Sequence, residues 1–452
     1  MNWEDNKRTL DNFLNDNRKS ELRGALMMLN VVDIAEYLDS LEIDRMLKVF
    51  RILPKAISSD VFSYMDDDQR KKLLDSIGDA EMGALIDDMF VDDAVDFLEE
   101  LPAGLVHRLL ANVSEEQRKA INRFLSYPEN SAGSIMTIEY CEFHEGMTAE
   151  EAMREIKRTG LDKETIYTLY VLDAQRKLIG TVPLRRLILA DNDTRIETLV
   201  NPNFICVGTL DDQESVAETV RKYDIMNVPV VDKEGRLVGI ITADDIMDVL
   251  EEEATEDIEK MNALLPSKNE YMKTGILKLV ANRLPWLLFM MVSGIFTGLI
   301  IEHFEGTLTT LADVGVALTA CIPTLMDTGG NCGSQASTLA IRGLAVGDIE
   351  PSDALRILWR EIRVAGIVSV VLAAINFLIQ IFVFRRATLV ALTVSMSMVC
   401  TVLLSKSIGC TLPLLAKKLK LDPALMAAPL ITTIVDACSL MILFMFASVV
   451  IL

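Results

Sequence analysis

Polar and apolar residues follow three different patterns along this chain, and the patterns divide it into three parts. Residues 20–130 contain short runs in which apolar positions recur every three or four residues between acidic ones. Two copies of an alternating pattern follow, each interrupted by a polar turn. Beyond residue 280, apolar stretches are long enough to cross a bilayer. The patterns predict a helical domain, an α/β domain and a membrane domain.

The helical part contains an internal repeat. Residues Val31 to Phe50 resemble residues Val91 to Leu110 at an offset of 60, and a looser copy runs from Asp60 to Ile77. Repeated helix pairs stack side by side, because a single pair cannot bury its apolar face. We therefore expect an α-helical, solenoid-like domain over residues 1–130, a type of module that serves interaction or spacing.

The second part repeats at an offset of 59 residues, which relates the segment that starts at Val171 to the one that starts at Val230. Each copy predicts a strand, a polar turn, a second strand and a helix. The helices are expected at Leu184 to Leu189 and at Ala243 to Glu252. The two copies resemble a tandem pair of CBS motifs, a regulatory α/β fold.

The CBS resemblance has two specific marks, Val-Pro-Val-Val-Asp at residues 228–232 and Gly-Ile-Ile-Thr-Ala-Asp-Asp at residues 239–245. In CBS proteins the residues at Thr242 and Asp245 often hold the ribose of an adenine nucleotide, so the resemblance implies a candidate ATP site. The alternative is a helix start at which Thr242 or Asp244 caps the following turn. The sequence leaves both interpretations open.

The third part is predicted to cross the membrane five times, because five apolar stretches can each span a hydrocarbon core of about 30 Å. The stretches are Leu284 to Ile301, Leu311 to Leu339, Val364 to Phe384, Thr388 to Leu415 and Leu430 to Leu452. No apolar signal peptide follows the first residues, so we expect the N-terminal domains in the cytoplasm. Lys and Arg then concentrate in the inner segments, which places the C-terminus outside a plasma membrane.

Two of these stretches contain groups that are costly in a bilayer. Residues 323–335, which we call the polar segment, read Pro-Thr-Leu-Met-Asp-Thr-Gly-Gly-Asn-Cys-Gly-Ser-Gln, and Asp436 stands alone in the last stretch. Such groups are tolerated only against protein or a water-filled path, so they predict a cation route. We expect a glycine-rich break whose backbone oxygens line this route. The alternative for the glycines is close helix packing. The alternative for Asp436 is an ion pair with Lys406, but the side chain of Lys406 is expected to extend to the inner membrane surface, which disfavours the pair.

Charge is concentrated before the membrane part. From residue 264 onward the chain has 14 Lys and Arg and 11 Asp and Glu, and the totals of 44 and 66 leave 30 and 55 before it. The first 263 residues therefore carry a net charge of −25, and the rest carry +3. This disfavours nucleic acid and anionic headgroups as partners and favours multivalent cations. Seven cysteines without a CxxC pair argue against a disulfide framework or a zinc site.

The helix predicted in the second CBS copy carries carboxylates on more than one face. Asp245 and Asp248, and then Glu253, Glu256 and Asp257, follow the i, i+3 and i+4 spacings that bring like charges together. Such pairs are destabilising without a counter-ion, and divalent cations, which prefer oxygen ligands, would bridge them. The alternative is an ordinary solvated face.

These features, together with Asp-Pro-Ala from Asp422 and the Pro429 to Asp436 segment, resemble the MgtE family of magnesium transporters over essentially the whole chain. The resemblance implies a homodimeric Mg²⁺ channel in a lipid bilayer, not an enzyme, whose cytoplasmic domains bind Mg²⁺ and close the pore. It also implies a linker that contains a plug helix from about Ile258 to Lys278. The expected multidomain membrane protein has its domains at residues 1–130, 131–193, 194–257, 258–280 and 281–452.

The resemblance assigns roles to individual residues, with Asp436 as the pore carboxylate. The ion pathway comprises Pro323, Asp327, Gly329, Gly330, Asn331, Gly333, Gln335 and Asp436. The regulatory Mg²⁺ sensor comprises Asp92, Asp96, Asp212, Glu214, Asp224, Asp245, Asp248, Glu253, Glu256 and Asp257. One departure is Ala428, at a position where the family usually has Gly, and this bears on the width and selectivity of the pore.

Two other functions remain open from the sequence. One is a CBS-regulated transporter of Co²⁺, Mn²⁺ or Ni²⁺ that is controlled mainly by an adenine nucleotide, since oxygen ligands discriminate among these ions through geometry. The other is a membrane-tethered sensor that transports nothing, which the two polar interruptions disfavour.

Overall fold

Ten short helices form the N-terminal part of the protein. The computed structural model describes residues 3–16, 18–99, 101–267, 271, 274–310, 313–426 and 428–451. The ten helices are α1 Trp3–Asn15, α2 Lys19–Leu26, α3 Val31–Asp39, α4 Ile43–Phe50, α5 Lys55–Ser63, α6 Asp67–Ser76, α7 Asp79–Asp88, α8 Val91–Glu99, α9 Ala103–Leu110 and α10 Glu115–Phe124. Several begin where a polar side chain accepts hydrogen bonds from the first turn, as Asn30, Asp66 and Ser114 do.

Alternate helices of this domain pack on one another. α3 contacts α5, α5 contacts α7 and α7 contacts α9, while α4 contacts α6 and α8 contacts α10. Phe62 lies between Phe50 and Phe97, with ring centroids 6.4 and 4.9 Å away and edge-to-face geometry. The arrangement agrees with the stacked helix pairs predicted from the repeat.

Each CBS copy forms a three-stranded sheet. The strands are β1 Glu142–His144, β2 Thr168–Leu172 and β3 Leu178–Pro183 in the first copy, and β4 Val207–Gly208, β5 Asn227–Val231 and β6 Leu237–Thr242 in the second. In both, the first strand is parallel and the third antiparallel to the second. The helices of this part are α11 Ala149–Thr159, α12 Leu184–Ile188, α13 Ile196–Leu199, α14 Gln213–Tyr223 and α15 Ala243–Met261. The predicted order of strand, turn, strand and helix is confirmed in both copies.

The chain divides into two compact units, Met1–Leu250 and Glu251–Leu452. In the first unit one apolar core runs through the helical domain and the second CBS copy, and Leu98, Val113 and Val228 all belong to it. The shared core places the acidic residues of α8 and of the start of α15 within one unit.

The second unit consists of long apolar helices. They are α16 Ile276–Thr310, α17 Asp313–Thr319, α18 Ile322–Ala345, α19 Ala354–Leu378, α20 Thr388–Lys418 and α21 Ala428–Val450. A π-helical turn, Ile379–Val383, extends α19. Helices α18, α20 and α21 pack against one another, α19 packs against α20, and α16 packs against α21.

Four helices in the described part are long and apolar enough to cross a membrane. They cover Ile276–Phe304, Pro351–Val383, Thr388–Lys418 and Pro429–Val450, and they account for four of the five predicted spans. The remaining predicted span, Leu311 to Leu339, is divided between α17 and α18, because α18 begins only at Ile322 and its polar segment lowers its hydropathy. Length and composition therefore support a multi-pass membrane protein but not a count of five.

The linker differs from its prediction. We expected one helix from Ile258 to Lys278, but α15 ends at Met261 and residues 262–267 are not helical. The helix ends because Ala263 adopts a φ of 55° while the N–H of Leu264 bonds to the carbonyl of Glu259. The continuous plug helix is therefore wrong in this part, and residues 268–270, 272 and 273 lie outside the described residues.

Candidate functional site

The polar segment lies within α18, which is helical throughout, and its glycines contact neighbouring helices. A Cβ atom at Gly329 would come within 2.8 Å of Thr401 in α20 and of Val435 in α21. One at Gly330 would lie 3.0 Å from Thr432 in α21. The glycines therefore allow α18 to approach α20 and α21 closely.

The closest approach joins α18 and α20. A Cβ atom at Gly409 would lie 2.2 Å from the carbonyl oxygen of Gly333 and 2.9 Å from its carbonyl carbon. The prediction of a glycine-rich break with backbone oxygens along the route is wrong, because carbonyls in a continuous helix are engaged by its own N–H groups. The contacts agree with the alternative, close helix packing.

One side of α18 carries an exposed polar row. Asp327, Asn331 and Gln335 follow Pro323 at intervals of four residues, a spacing that keeps side chains on one helix face. All four residues are exposed in this chain. Within a membrane domain such a row is tolerated against protein or a water-filled path, but not against lipid.

Asp436 lies on α21 beside the polar segment and is half-buried. The residue before it, Val435, lies against Gly329, and Thr432, one turn earlier, lies against Gly330. Asp327 lies two residues before Gly329 on α18. The structure thus places the two carboxylates of the predicted pathway on two helices that pack against each other.

The alternative pair of Asp436 with Lys406 is not found. Lys406 in α20 is only 5% exposed, and its Nζ atom lies 3.6 Å from Oε2 of Glu361 in α19. Lys406 therefore does not extend to the membrane surface as expected, because a carboxylate reaches it inside the helix bundle. The sequence reasoning missed Glu361, since the predicted span began three residues later at Val364.

Replacing Lys406 by Met should destabilise the membrane domain. The variant leaves Glu361 in the helix bundle without its counter-ion, and removing one partner of a buried pair costs about 3–5 kcal/mol. A double variant that adds Glu361→Gln should regain most of the loss. Thermal unfolding in detergent measures both, with Lys418→Met at the exposed end of α20 as the control. A single variant as stable as the control would contradict the pairing.

A second cluster, which we call the Asp92 cluster, contains Asp92 and Asp93 of α8, Asp245 of α15, and Glu139 and Glu164. Burial and then the charges of Asp93 and Asp245 raise the pKa of Asp92 well above its usual range. One carboxylate oxygen of Asp92 is shut off from solvent and accepts no hydrogen bond from the described residues. Burial, with the charges of Asp245 and Asp244, also raises the pKa of Glu164 to about 7. These carboxylates repel one another across the contact between the helical and CBS domains.

The donor chemistry of the Asp92 cluster fits a hard divalent cation, which takes carboxylate oxygens as ligands. Over the described ranges, however, no three acidic, His or Cys side chains converge closely enough to hold a metal ion. Of the predicted sensor residues, the structure brings Asp92 and Asp245 together. The sequence reasoning missed Asp93, Glu139 and Glu164, although Asp93 follows Asp92 directly in the chain.

Without divalent cations, the first unit should be more stable at pH 5.5 than at pH 8. Burial, more than the charge of Asp244, raises the pKa of Asp245 from 3.8 to about 6, although hydrogen bonds from Thr242 oppose this rise. The pKa of Glu164 is raised from 4.5 to about 7. Between the ordinary and the raised values the folded state binds more protons than the unfolded state, so stability increases as the pH falls from about 7 to 4.5. We expect a gain of about 1–3 kcal/mol.

Calorimetry of a fragment of residues 1–263 at both pH values measures this effect. Asp245→Asn should flatten the pH profile, because it removes one of the carboxylates and keeps the side chain's size. A melting temperature that falls between pH 8 and pH 5.5 would contradict the repulsion within the Asp92 cluster.

The other sensor residues of the first unit lie apart from this cluster's centre. Asp96 and Asp248 are exposed on α8 and α15. Asp212 precedes α14, Glu214 lies in its first turn, and Asp224 follows its last residue with a φ of 51°. Since α14 has 11 residues, its two ends are about 16 Å apart, and these three carboxylates cannot share one ion within the chain.

In the second unit, the acidic end of α15 faces the residues before α21. The ammonium group of Lys260 binds the carboxylate of Glu256 and lies 2.7 Å from Asp422. Burial alone would lower the pKa of Lys260, but Asp422 and Glu256 together raise it. Burial and then the charge of Asp422 raise the pKa of Asp257, while Glu253, one turn earlier, is half-buried. Lys260 and Asp422 were missed as site residues, although Asp422 belongs to a motif that carried the resemblance.

The candidate ribose site is occupied by a helix cap. The hydroxyl of Thr242 donates to Oδ2 of Asp245 over 2.6 Å, and the backbone N–H of Thr242 donates to the same oxygen over 3.3 Å. The neighbouring carboxylates Asp244 and Glu164 would repel a phosphate there. The geometry therefore agrees with a capped helix start, but the accepting side chain is Asp245 rather than Thr242 or Asp244.

The repeat offset of 59 points to a second cleft of the CBS pair. It relates Thr242 to Pro183 and Asp245 to Arg186. Pro183 and Arg186 line a cleft of 440 Å³ together with Arg185 and Asn201. This cleft carries cationic rather than acidic side chains.

Comparisons with known proteins agree with this organisation. Family models match for the divalent cation transporter MgtE at residues 322–446, the MgtE intracellular N domain at 29–130 and the CBS domain at 196–252. The magnesium transporter MgtE of Thermus thermophilus is 34% identical over 438 residues, covering 96% of each chain. That of Bacillus subtilis is 30% identical over 424 residues, covering 91% of this chain and 92% of the relative.

Two solved structures resemble the N-terminal half. The soluble part of a magnesium transporter is 32% identical with a TM-score of 0.54, and the match covers 56% of this chain and all of that one. The cytosolic domain of the Mg²⁺ channel MgtE in complex with ATP is 34% identical with a TM-score of 0.51, and the match covers 54% of this chain and 99% of that one. With the helical domain, the CBS pair and the apolar helix bundle all matched, the chain belongs to the MgtE family of divalent cation transporters.

Proposed function

We propose that this protein is a Mg²⁺ channel that admits Mg²⁺ across the plasma membrane and is closed by cytosolic Mg²⁺. The observation that carries the proposal is the exposed polar row of α18 beside the half-buried Asp436 of α21, inside a domain of apolar helices. Its relatives are named magnesium transporters, which supports transport rather than enzymatic catalysis.

The residues of the pathway suit a hydrated ion. Mg²⁺ requires octahedral oxygen ligands and loses water reluctantly, so a selective path reads its hydration shell rather than removing it. Asp436 and Asp327 supply negative charge, and Asn331 and Gln335 supply amide oxygens on the same helix face as Asp327. In this proposal the glycines bring α18 against α21, and the polar side chains, not the backbone, face the ion.

A homodimer completes the path. The exposed row of α18 needs a cover that is not lipid, and the 18 most apolar residues of α16 include none that is buried within this chain. A second copy, related by two-fold symmetry, would cover such faces and place two Asp436 carboxylates across one axis. We further propose α18 as the fifth span, which places the N-terminal domains in the cytoplasm and the C-terminus outside.

Gating follows from differential Mg²⁺ binding. A cation that bridges the carboxylates of the Asp92 cluster favours the packed form of the first unit over a separated form, and so shifts the population towards it. At the end of α15, Mg²⁺ would compete with the ammonium group of Lys260 for Glu256, Asp257 and Asp422. The predicted sensor residues at the two ends of α14, Asp212, Glu214 and Asp224, would bind Mg²⁺ at contacts with another protein chain.

Uptake of Mg²⁺ by proteoliposomes tests the proposed function. The purified protein should carry Mg²⁺ inward, as reported by an enclosed Mg²⁺-sensitive dye, and the rate should fall as Mg²⁺ on the cytoplasmic side rises. Co²⁺, Mn²⁺ and Ni²⁺ in parallel assays test selectivity, including the effect of Ala428, whose side chain lies outside the described part. Uptake that responds to ATP but not to cytoplasmic Mg²⁺ would instead favour the nucleotide-controlled transporter, which the relatives do not favour.

Neutralising the predicted sensor should leave the channel open. With Asp92, Asp96, Asp245 and Asp248 all changed to Asn, we expect flux to persist at cytoplasmic Mg²⁺ concentrations that close the parent. The fragment of residues 1–263 should be compact in millimolar Mg²⁺, and more expanded in NaCl of equal ionic strength, because bridging needs a divalent ion and screening does not. Small-angle scattering measures the radius of gyration. Equal radii in Mg²⁺ and in matched NaCl would contradict the sensor.

A regulatory nucleotide is the second ligand that we propose. The cytosolic domain of a relative was solved with ATP, and the cleft with Arg185 and Arg186 has the charge for a phosphate chain, while the Thr242 site does not. We therefore assign ATP to the Arg185 cleft.

A further inference from the structure

A larger cleft, of 610 Å³, opens elsewhere on the first unit, where the hairpin turns of the two CBS copies meet. The turns bond through their backbones, since the N–H of Leu178 donates to the carbonyl of Gly235 and the N–H of Leu237 donates to that of Arg176. Residues of α10 and α11 form the other walls. Neither Thr242 nor Arg186 lines this cleft, so it is distinct from both candidate nucleotide sites.

Four cationic side chains line this turn cleft: Arg123, Lys163, Arg176 and Arg236. Within the described ranges no carboxylate forms a salt bridge with Arg123, Lys163 or Arg236, whereas Arg176 holds Glu142 through two hydrogen bonds of 2.7 and 3.0 Å. Three unpaired cations in one cleft are unexpected in a part of the chain with a net charge of −25.

The carboxylates of the turn cleft are already engaged. Glu142 binds Arg176, and Glu155 binds Arg158, whose NH2 atom lies 2.5 Å from Oε1. Asp232 accepts hydrogen bonds from two backbone N–H groups of its own turn, at 3.0 and 2.8 Å. Arg176 offsets Glu142 and Arg158 offsets Glu155, but bonds to neutral N–H groups leave the charge of Asp232, so the cleft offers a ligand a net charge of about two positive units.

Arg176 stands at a position where the backbone favours glycine. Its φ is 66°, and the equivalent residue of the second copy, 59 positions later, is Gly235 with a φ of 79°. A non-glycine side chain in this left-handed region is strained, because its Cβ atom crowds the backbone. The first copy thus carries a guanidinium group at a site where its own repeat uses glycine, which is understandable if the group acts in the cleft.

We propose that the turn cleft binds a small phosphate ester with an apolar or aromatic body. Guanidinium groups match phosphate oxygens in charge and geometry, while the apolar part of the lining consists of the half-buried Ile138 with the largely buried Phe143 and Val238. The volume lies within the range of small-molecule sites. Because Arg123 belongs to the helical domain and the other cations to the CBS pair, such a ligand holds the two domains together and adds a metabolic input to the proposed closing by Mg²⁺.

Titration calorimetry of the full chain in detergent tests this inference, with AMP and inorganic pyrophosphate as the probes and no added Mg²⁺. We expect saturable binding of AMP, tighter than that of pyrophosphate, because only AMP contacts the apolar part of the lining. Arg176→Gly copies the turn of the second CBS motif, so it should melt no earlier than the parent while binding AMP at least tenfold more weakly. Arg123→Gln combined with Arg236→Gln should have the same effect on binding.

Two controls separate this cleft from other anion sites. Lys119→Gln removes an exposed cation from the same helix as Arg123, one turn earlier, and should leave AMP affinity unchanged. Arg185→Gln with Arg186→Gln removes the cations of the proposed ATP cleft. No saturable binding of either probe, parental affinity in Arg176→Gly, or a loss confined to the Arg185 and Arg186 variant would overturn the inference. Tighter binding of pyrophosphate than of AMP would contradict a phosphate ester.

Discussion

Replacing Asp436 by Asn should reduce Mg²⁺ flux by about a hundredfold or more while the protein remains folded. The change keeps the volume of the side chain but removes the charge that lies beside Asp327 and the polar row of α18. A divalent ion near the bilayer centre depends on such charge, since the surrounding helices are apolar. Flux into proteoliposomes measures the loss, and thermal unfolding and size-exclusion chromatography establish that fold and assembly are intact.

Asp348→Asn is a matched control, because Asp348 is an exposed residue in the turn after α18. Its flux should equal that of the parent. Near-normal flux in Asp436→Asn, with Asp348→Asn also normal, would place the selectivity site away from Asp436. Replacing Asp327 by Asn would then be the next measurement.

Replacing Gly409 by Ala should disrupt the membrane domain more than an alanine at Gly329, Gly330, Gly333, Gly343 or Gly366. The new methyl group would lie 2.2 Å from the carbonyl oxygen of Gly333 and 2.9 Å from its carbonyl carbon, and both are backbone atoms of α18. Only a shift of α18 relative to α20 can relieve this overlap, and such overpacking costs about 3 kcal/mol or more. We expect a large fall in melting temperature in detergent and in Mg²⁺ flux.

Gly366→Ala serves as the control, because among the described residues, apart from the chain neighbours of Gly366 and the backbone of α19, no atom lies within 4 Å of the position that its Cβ would occupy. Alanine is a better helix former than glycine, so this variant should be as stable as the parent or more so. Gly333→Ala should be intermediate, since its Cβ would meet the side-chain Cγ2 of Ile431 at 2.7 Å, and a side chain moves more easily than a backbone. Equal stability of the Gly409 and Gly366 variants would show that α18 and α20 are not packed closely here.

The repeats were predictable because each is a local pattern. The offset of 59 residues located both CBS hairpins and their helices, since alternating apolar positions and turn residues lie within about 25 residues of one another in each copy. The prediction of one continuous helix from Ile258 to Lys278 was wrong because the local sequence does not mark where α15 ends. The left-handed φ of Ala263 ends α15 early, and alanine at that position gives no signal in the sequence.

The polar segment shows the limit of local reasoning. Its composition predicted a cation route, which remains a prediction, and its glycines suggested a break that the continuous helix α18 does not have. Whether a glycine breaks a helix or lets two helices approach closely depends on the residue that faces it in the folded protein. Here the residue that faces Gly333 is Gly409, which lies 76 positions later in the chain. No pattern within α18 contains that information.

The sequence by itself determined the division into three parts, the separation of charge, the two repeats and the position of two carboxylates within apolar stretches, because these depend on composition and short-range spacing. Only the tertiary structure decided which charges meet. It paired Lys406 with Glu361, gathered Asp92, Asp245 and Glu164, and joined Lys260 to Asp422. The physical reason is that electrostatic interactions and helix packing act over a few ångströms in space, between residues whose separation along the chain is set by the fold.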